Sequence, residues 1–271
     1  MPKEKPYRGR IAPTPSGFLH LGHVATFKNA CERAKKAGGK IVLRIEDIDS
    51  SRVRKIYVDQ IFKDLKSAGI SWDEGAKSGG KFAPYFQSER LDLYKKRLEF
   101  LISKDLVYPS YASRSEIKSK AAISKNPDFP EAIFPLELRP EKIEMPKDIF
   151  KTNWRFKVPP KEDIEFFDEL MGSQKFTAQT DFGDFLVWRK TGEPSYELAV
   201  VSDDIDMEIT EVVRGCDLLL STARQILLYR AFGKTPPKFA HCPLLKDGGK
   251  KLSKSVLKND LKNPFLVKNN F

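Results

Sequence analysis

The sequence has few of the residues that build cross-linked, metal-rich or membrane-embedded proteins. Only three of its 271 residues are cysteines. Cys31, Cys216 and Cys242 lie far apart without metal-ligand spacing, so we expect three free thiols. No apolar run reaches the roughly 18 residues that a transmembrane helix needs, and residues 1–6 lack the apolar segment of a secretory signal. We therefore expect a cytoplasmic protein that has no membrane partner.

Histidine is also scarce, and its placement is informative. Two of the three histidines, His20 and His23, fall in the stretch His-Leu-Gly-His, which follows a turn rich in proline and glycine. A turn that leads into a helix presents backbone N–H groups and the positive end of the helix dipole to an anion. Gly22 leaves room for a nucleotide ring, and imidazoles donate hydrogen bonds to phosphate oxygens. We predict that His20, Gly22 and His23 bind ATP and that both histidines are catalytic.

A basic stretch near the other end of the chain has matching chemistry. Residues 247–255 read Asp-Gly-Gly-Lys-Lys-Leu-Ser-Lys-Ser. Lysines neutralise a departing pyrophosphate and serines donate hydrogen bonds to it. Alone, this stretch is typical of a solvated basic loop. Together with the histidine stretch it predicts that Lys251, Ser253 and Lys254 bind ATP, with Lys254 in a catalytic role.

The charge of the chain favours a polyanionic partner. There are 48 lysines and arginines against 37 aspartates and glutamates, which gives a formal net charge of +11. Such an excess favours nucleic acid as a partner through counterion release. Charge alone leaves open the alternative of a basic soluble protein with no such partner.

The first hundred residues predict a parallel sheet with crossover helices. The predicted elements are a strand at 8–12, a helix at 24–36, a strand at 41–45, a helix at 58–68 and a third helix that Ser88 caps. Strands that alternate with helices in this way indicate parallel pairing. Ligands of such sheets bind outside the carboxyl ends of the strands, which is where the histidine stretch falls.

The middle of the chain has a different pattern. Prolines recur between residues 109 and 160 while helical periodicity fades, which predicts a small inserted subdomain. Residues 186–201 have a strand-like pattern. Thr222 and Gln225 form a capping box, which predicts a helix that extends to about residue 232.

Residues 44–49, Arg-Ile-Glu-Asp-Ile-Asp, lie at the end of the second predicted strand. Because side chains alternate along a strand, Arg44 and Glu46 share one face. Glu46 could hold an ammonium group, and an arginine could bind a carboxylate through two parallel hydrogen bonds. A solvated strand end is the alternative.

Together, these motifs resemble those of class I aminoacyl-tRNA synthetases. The histidine stretch is similar to their HIGH sequence and residues 251–255 to their KMSKS sequence. Residues 10–17 resemble the RFAPSPTG opening of the glutamyl branch, and residues 44–49 its RIED element. The resemblance implies an α/β fold with a Rossmann-type parallel sheet. In it, residues 1–107 and 185–271 would form the catalytic domain, and residues 108–184 an inserted acceptor or connective subdomain.

A third stretch narrows the resemblance. Residues 196–204 and 209–225 are similar to the corresponding pattern of glutamyl-queuosine tRNA(Asp) synthetases. Cys216 and Leu218 differ from the RGEDHL pattern that full glutamyl-tRNA synthetases usually carry. The sequence continues for 16 residues after Ser255, so we expect no anticodon-binding domain of the kind found in full glutamyl-tRNA synthetases. The resemblance covers residues 8–107 and 180–255.

The resemblance implies a ligase that activates L-glutamate with ATP and Mg²⁺, without tRNA, to glutamyl-adenylate. The glutamyl group would then pass to the queuosine base in the anticodon of tRNA(Asp). The implied glutamate-binding residues are Arg10, Ala12, Thr14, Glu46, Tyr196 and Arg214. Arg214 would contact the side-chain carboxylate of glutamate and Glu46 its ammonium group. The lysines that would hold the anticodon stem-loop are Lys246, Lys250, Lys251, Lys258 and Lys262.

Many members of that family bind zinc in the inserted subdomain through a Cys-x-Cys pair, a tyrosine and a further cysteine. Here Ser110 and Ala112 occupy the cysteine positions, so we expect no zinc and no protein-bound metal site. We expect a monomer. Two functional alternatives remain, namely a truncated synthetase that charges the tRNA 3′ end and a paralogue that transfers glutamate to a non-tRNA acceptor. Asp203 and Asp204 have either a structural or a metal-binding role.

Overall fold

The computed structural model describes residues 5–244, 246–247 and 250–251. The chain forms two compact units. Unit 1 comprises Met1–Glu89, Glu208–Asp217 and Pro237–Phe271, and unit 2 comprises Arg90–Met207 and Leu218–Pro236. Among the described residues, no helix is long and apolar enough to span a bilayer.

The helices are α1 (Leu21–Lys36), α2 (Lys55–Ser67), α3 (Leu91–Ser103), α4 (Arg114–Lys120), α5 (Tyr196–Asp206) and α6 (Leu219–Ala231). The strands are β1 (Arg8–Ile11), β2 (Lys40–Leu43), β3 (Glu74–Gly75), β4 (Val107–Pro109), β5 (Ala122–Ile123), β6 (Ala132–Ile133), β7 (Trp154–Phe156), β8 (Asp163–Asp168), β9 (Gly172–Thr177), β10 (Leu186–Arg189), β11 (Glu193–Pro194), β12 (Glu211–Gly215), β13 (Lys238–Cys242), β14 (Lys246–Asp247) and β15 (Lys250–Lys251).

Unit 1 contains the predicted parallel sheet. Strands β1, β2 and β3 pair in that order, all parallel, and β12 pairs in parallel with β13. The Thr210 N–H donates to the Arg8 carbonyl over 2.9 Å, which brings the start of β12 beside β1. The apolar side chains of β2 are fully buried, as in a strand covered on both faces. The predicted β-turn-α-β-α opening is therefore confirmed.

Helix α1 follows β1 in the chain and is also bonded to β12, so it links the two sets of parallel strands in unit 1. Its apolar residues Val24, Phe27, Ala30 and Ala34 are buried at helical spacing. Arg33 donates from Nε and Nη2 to the Glu211 carboxylate over 2.7 and 2.6 Å, and the Tyr7 hydroxyl donates to the same group over 2.6 Å. Burial raises the pKa of Glu211, but the hydrogen bonds from Arg33 and Tyr7 outweigh it and hold the net pKa below its usual range.

The starts of the first three helices differ from the sequence-based prediction, and α2 begins at Lys55 instead of residue 58. Helix α1 begins at Leu21, three residues before the predicted start. Leu21 is half exposed and breaks the apolar pattern, so periodicity could not reveal the first turn. The predicted cap of the third helix is wrong, because Arg90 precedes α3 as the N-cap residue. Ser88 instead donates from its backbone N–H and its hydroxyl to the Asp47 carboxylate over 2.9 and 2.7 Å.

Unit 2 combines an antiparallel sheet with helices. The strand order is β11-β10-β7-β4, and β8 pairs antiparallel with β9. Trp154 and Trp188 are neighbours in the sheet and are fully buried. The predicted inserted segment, residues 108–184, lies within unit 2, where it contains one short α-helix, α4, and two 3-10 turns.

A buried ion pair links α3 to α5 within unit 2. The Arg90 Nε donates to Asp203 over 2.8 Å, and the Tyr94 hydroxyl lies 3.0 Å from both Asp203 carboxylate oxygens. Arg90 also donates to Asp206 over 2.5 Å. Asp203 is completely buried, so its carboxylate is part of the packing between these two helices.

Two predictions in unit 2 are corrected. The prediction of strand structure for residues 186–201 is wrong beyond β11, because helix α5 begins at Tyr196 with Ser195 as its N-cap. Residues 198–204 are all buried, and a buried helix shows no amphipathic period to distinguish it from a strand. The capping box at Thr222 is also wrong. Helix α6 begins at Leu219, so Thr222 lies inside the helix. Its hydroxyl donates to the carbonyl of the N-cap residue Leu218 over 3.0 Å.

Candidate active site

The loop after β1 leads directly into the histidine pair. His20 is the N-cap residue of α1, and its backbone N–H donates to the Nδ1 of His23 over 3.2 Å. The two imidazoles stack with their centroids 3.6 Å apart and their planes at 29°. Because Nδ1 accepts this bond, we assign the ring proton of His23 to Nε2. His23 thus has a ring N–H donor at the positive end of a helix dipole.

Gly22 lies between these histidines for a steric reason. A Cβ atom at this position would lie 3.0 Å from Cε1 and 3.1 Å from Nδ1 of His20. Any larger residue would therefore displace the His20 ring. The sequence suggested that glycine makes room for a nucleotide, and the structure adds that glycine also lets His20 take its position.

Predicted glutamate-binding residues follow the ends of β1 and β2. Arg10 is buried on β1 and donates from Nη1 to the Val213 carbonyl over 2.8 Å. The Glu46 N–H donates to the Pro13 carbonyl over 3.0 Å, which places Glu46 against the loop that contains Ala12 and Thr14.

The Glu46 carboxylate also has a buried cationic neighbour. Arg44 is completely buried and donates from Nη2 to Glu46 over 3.1 Å. Glu46 itself is 7% exposed. Burial of a lone carboxylate disfavours its charged form, and an adjacent guanidinium favours it. Arg44 therefore supports an ionised Glu46, as the binding of an ammonium group requires.

Arg214, on β12, is held by a residue that the sequence analysis missed. Its Nε donates to the Nε2 of His241 over 3.1 Å, and both side chains are buried. The Phe239 ring centroid lies 5.8 Å from the Arg214 guanidinium carbon. The available signal was that His241 is the one histidine outside the His-Leu-Gly-His stretch. The sequence does not show that His241 faces Arg214.

The structure thus brings one group of predicted site residues together in unit 1. It comprises Arg10, Ala12, Thr14, His20, Gly22, His23, Glu46 and Arg214, at or after the carboxyl ends of β1, β2 and β12. Tyr196 belongs to unit 2, where it is the first residue of α5. Ser253 and Lys254 lie outside the described residues. Lys251 is described only as part of the backbone of β15.

Unit 2 contains a polar cavity of its own. The cavity has a volume of about 410 Å³, and Tyr196 and the helix cap Ser195 line it. Its charged lining residues are Arg155, Arg189, Arg224, Glu131, Asp184 and Glu197. Equal numbers of cationic and anionic side chains suit a ligand that both donates and accepts hydrogen bonds.

Arg224 is a largely buried cation of this cavity. Its guanidinium contacts Glu131 and lies 3.9 Å from the Glu197 carboxylate. Burial lowers the pKa of Arg224 to about 10, so the group stays protonated at neutral pH. Its Nε is buried without a hydrogen-bond partner among the residues that the structure describes. A buried unsatisfied donor costs roughly 1–3 kcal/mol, which an acceptor atom in the cavity would offset.

The positions compared with zinc-binding cysteines have other contacts here. Ser110 is buried, and its hydroxyl accepts a hydrogen bond from the Arg155 Nε over 3.2 Å. Asp184 nearby accepts from the Tyr108 hydroxyl over 2.7 Å and from the Arg139 Nε over 2.5 Å. Within the described residues, no group of three or more His, Cys, Asp or Glu side chains has a metal-binding arrangement.

Comparisons with known proteins identify the family of this chain. A family model, described as the catalytic domain of class I tRNA synthetases (E and Q), matches residues 7–264. A glutamyl-Q tRNA(Asp) synthetase of Symbiobacterium thermophilum is 45% identical over 88% of this chain and 74% of its own length. Another, of Nitratidesulfovibrio vulgaris, is 41% identical over 91% of this chain and 77% of its own.

A solved structure supports the same assignment. The crystal structure of a glutamate tRNA ligase from Elizabethkingia meningosepticum, in complex with its amino acid, matches with a TM-score of 0.79 at 32% identity. The match covers 95% of this chain but about half, 54%, of that chain. It confirms the predicted synthetase fold. The chain belongs to the family of class I tRNA synthetases (E and Q), which are aminoacyl-tRNA ligases, and corresponds to their catalytic domain.

Proposed function

We propose that this protein activates L-glutamate with ATP, without tRNA, and transfers the glutamyl group to the queuosine base in the anticodon of tRNA(Asp). Family membership supports an adenylate-forming ligase. The two relatives at 45% and 41% identity are glutamyl-Q tRNA(Asp) synthetases, which supports the queuosine acceptor. The observation that carries the amino-acid assignment is the buried set of Arg214, Arg10 and Glu46 in unit 1.

The choice of glutamate follows from the charges of this set. Arg214 is a planar donor fork suited to a carboxylate, and its bond to His241 sets the plane of the guanidinium. Glu46 is a buried carboxylate suited to the α-ammonium group, and Arg44 favours its ionised form. A substrate with a carboxylate at one end and an ammonium group at the other satisfies both residues.

Activation needs positioning and charge neutralisation. One oxygen of the glutamate α-carboxylate attacks the α-phosphorus of ATP, the bond to the β-phosphate bridging oxygen breaks, and pyrophosphate leaves. His23 donates from Nε2–H and His20 lines the phosphates, at the end of α1 where backbone N–H groups also favour an anion. Lys254 neutralises the departing pyrophosphate, and Lys251 and Ser253 bind it.

Mg²⁺ fits this site as a companion of the nucleotide. The described residues offer no cluster of ligands for a metal, and Mg²⁺ commonly keeps its waters and binds substrate phosphates instead of a protein cage. It supplies neutralisation of phosphate charge. For zinc, our proposal remains that this chain does without it, since the Ser110 hydroxyl is engaged with Arg155.

The unit 2 cavity is our proposed site for the acceptor nucleoside. The stretches that favour the queuosine branch contain both Tyr196 and Arg224, and both residues line this cavity. The cyclopentene ring of queuosine has hydroxyl groups that the Glu131 and Glu197 carboxylates can accept from. The Arg224 Nε–H can donate a hydrogen bond to an oxygen atom of the queuosine base. A ring hydroxyl loses its proton and attacks the carbonyl carbon of glutamyl-adenylate; an ester forms, the bond between that carbon and the phosphate oxygen breaks, and AMP leaves with the oxygen.

The deciding experiment measures transfer of radiolabelled glutamate to tRNA(Asp) with and without queuosine, alongside ATP–pyrophosphate exchange without tRNA. We expect exchange without tRNA and labelling only of the queuosine-containing tRNA. Exchange with no labelling of either tRNA would refute the acceptor and retain glutamate activation. Absence of exchange would refute the activation step.

A second candidate is glutamate transfer to the 3′ end of tRNA, which the similarity to the Elizabethkingia glutamate tRNA ligase favours. A tRNA(Asp) that contains queuosine but lacks its terminal adenosine separates the two. Labelling of the shortened tRNA supports the anticodon acceptor. Labelling that requires the terminal adenosine supports the second candidate.

A further inference from the structure

Arg214 and His241 face each other across two parallel strands. Strands β12 and β13 pair these two residues in register. The Arg214 Nε–H donates to the His241 Nε2 over 3.1 Å. Because Nε2 accepts this hydrogen bond, the imidazole is neutral and has its proton on Nδ1. His241 is completely buried and Arg214 is 5% exposed, so water does not compete strongly for the bond.

An aromatic ring completes this arrangement. Phe239 and His241 lie on the same face of β13, with their ring centroids 6.2 Å apart and their planes at 26°. The Arg214 guanidinium carbon lies 5.8 Å from the Phe239 centroid, within the range of a cation–π contact. The guanidinium is therefore held by a directional hydrogen bond and by a ring.

We propose that His241 is a positioning residue, which orients Arg214 toward the side-chain carboxylate of the substrate and so sets the selectivity for glutamate over glutamine. This inference rests on the proposed function, because it takes Arg214 as the partner of that carboxylate. A bond at Nε fixes the plane of the guanidinium. The two terminal nitrogens then point in a defined direction, as bidentate recognition of a carboxylate requires.

Selectivity is the property that this geometry controls. Glutamine has nearly the same shape as glutamate, but its amide NH₂ group would face a guanidinium that can only donate. A rigid guanidinium cannot turn away from this mismatch, and an unmatched buried donor is costly. A guanidinium free to rotate would bind glutamate less well and would reject glutamine less strongly.

The test uses ATP–pyrophosphate exchange with glutamate and with glutamine. In His241→Leu we expect the KM for glutamate to rise ~10-fold or more, with kcat changed less than about 3-fold. The ratio of kcat/KM for glutamate over glutamine should fall ~10-fold or more. His241→Gln should restore most of the ratio, because its amide oxygen reaches the position of Nε2. His241→Asn should not, since its shorter side chain places the oxygen near Nδ1.

Two control variants separate the possible failures. Val42→Ala creates a small cavity at a fully buried position of the same unit and should lower stability without changing the ratio. If Arg214→Leu retains selectivity for glutamate, the proposed function fails. If Arg214→Leu loses selectivity and His241→Leu keeps it, only the positioning role is refuted. If His241→Leu does not fold, equal ratios in His241→Gln and His241→Asn refute that role.

Discussion

Asp203 offers the sharpest test of how buried charge is used in this fold. Its carboxylate is completely buried between α3 and α5. The structure shows bonds from Arg90 at 2.8 Å and from the Tyr94 hydroxyl at 3.0 Å. We expect the substitution Asp203→Asn to destabilise the protein through loss of this ion pair, with no effect on the metal requirement of the reaction.

The magnitude follows from the bonds that change. Asn keeps one acceptor oxygen but removes the negative charge and turns a donor toward either Arg90 or Tyr94. A hydrogen bond to a charged group contributes about 1.5–3 kcal/mol, and breaking a buried ion pair costs about 3–5 kcal/mol. Arg90 keeps its second partner, Asp206, so we expect a loss near the lower end, about 3 kcal/mol.

The measurement is urea denaturation of the wild type and of two variants. Asp206→Asn is the matched control, because Asp206 lies on the same helix and binds the same arginine but is 42% exposed. Screening by solvent should keep its cost below about 1 kcal/mol. A loss in Asp203→Asn no larger than that of the control would refute the reasoning.

A second readout addresses the metal-binding alternative for Asp203. Titration of Mg²⁺ in the ATP–pyrophosphate exchange assay should give the same half-saturation for Asp203→Asn and for the wild type. A variant of normal stability that needed about 3-fold more Mg²⁺ would instead point to a metal ligand.

Three further predictions concern unit 1 and the basic stretch. The hydrogen bond from Arg8 lowers the pKa of Glu74 to about 2; its stabilising effect is therefore present above the unfolded pKa of about 4.3 and is lost as pH falls toward 2. Glu74→Gln should cost on the order of 1–2 kcal/mol at pH 7 after allowance for solvent screening, and the difference from wild type in urea denaturation should shrink between pH 5 and pH 3. Gly22→Ala should slow ATP–pyrophosphate exchange ~10-fold or more by displacing the His20 ring, with little change in stability; normal exchange would contradict the steric account. Lys254→Ala should slow exchange ~10²-fold because a transition-state charge contact is lost; an unchanged rate would remove Lys254 from catalysis.

Local patterns were sufficient for the parallel opening of the fold. The amphipathic α1 follows from apolar periodicity, because one of its faces packs against the core, and β2 follows from its short run of apolar, β-branched residues. Periodicity could not predict that residues 198–204 are helical, since every one of them is buried. It also could not locate the helix N-caps at Arg90 and Leu218. Both lie at the end of a short 3-10 turn, and neither forms a side-chain cap hydrogen bond.

The motifs predict candidate site residues but not the neighbouring side chains that hold them in place. Arg214 and Glu46 were identified from short motifs, but the partner of Arg214 comes 27 residues later, after helix α6. Only the parallel register of β12 and β13 makes them neighbours. In the same way, Glu131 and Arg224 meet in the unit 2 cavity although 93 residues separate them. Such long-range pairs depend on strand order and register, which a local pattern does not encode.

Arginines of this protein donate to both charged and neutral acceptors, and the two kinds of acceptor have different consequences for a substrate site. Many arginines donate to carboxylates, as in the pairs Arg8–Glu74, Arg33–Glu211, Arg90–Asp203 and Arg139–Asp184. Arg10 and Arg214 donate to neutral acceptors, a backbone carbonyl and an imidazole. A carboxylate partner orients a guanidinium and also neutralises it. A neutral acceptor orients it without removing charge, which is what a site for an anionic substrate requires. The imidazole of His241 therefore serves Arg214 better than a carboxylate would, because a buried anion at that position would compete with the substrate.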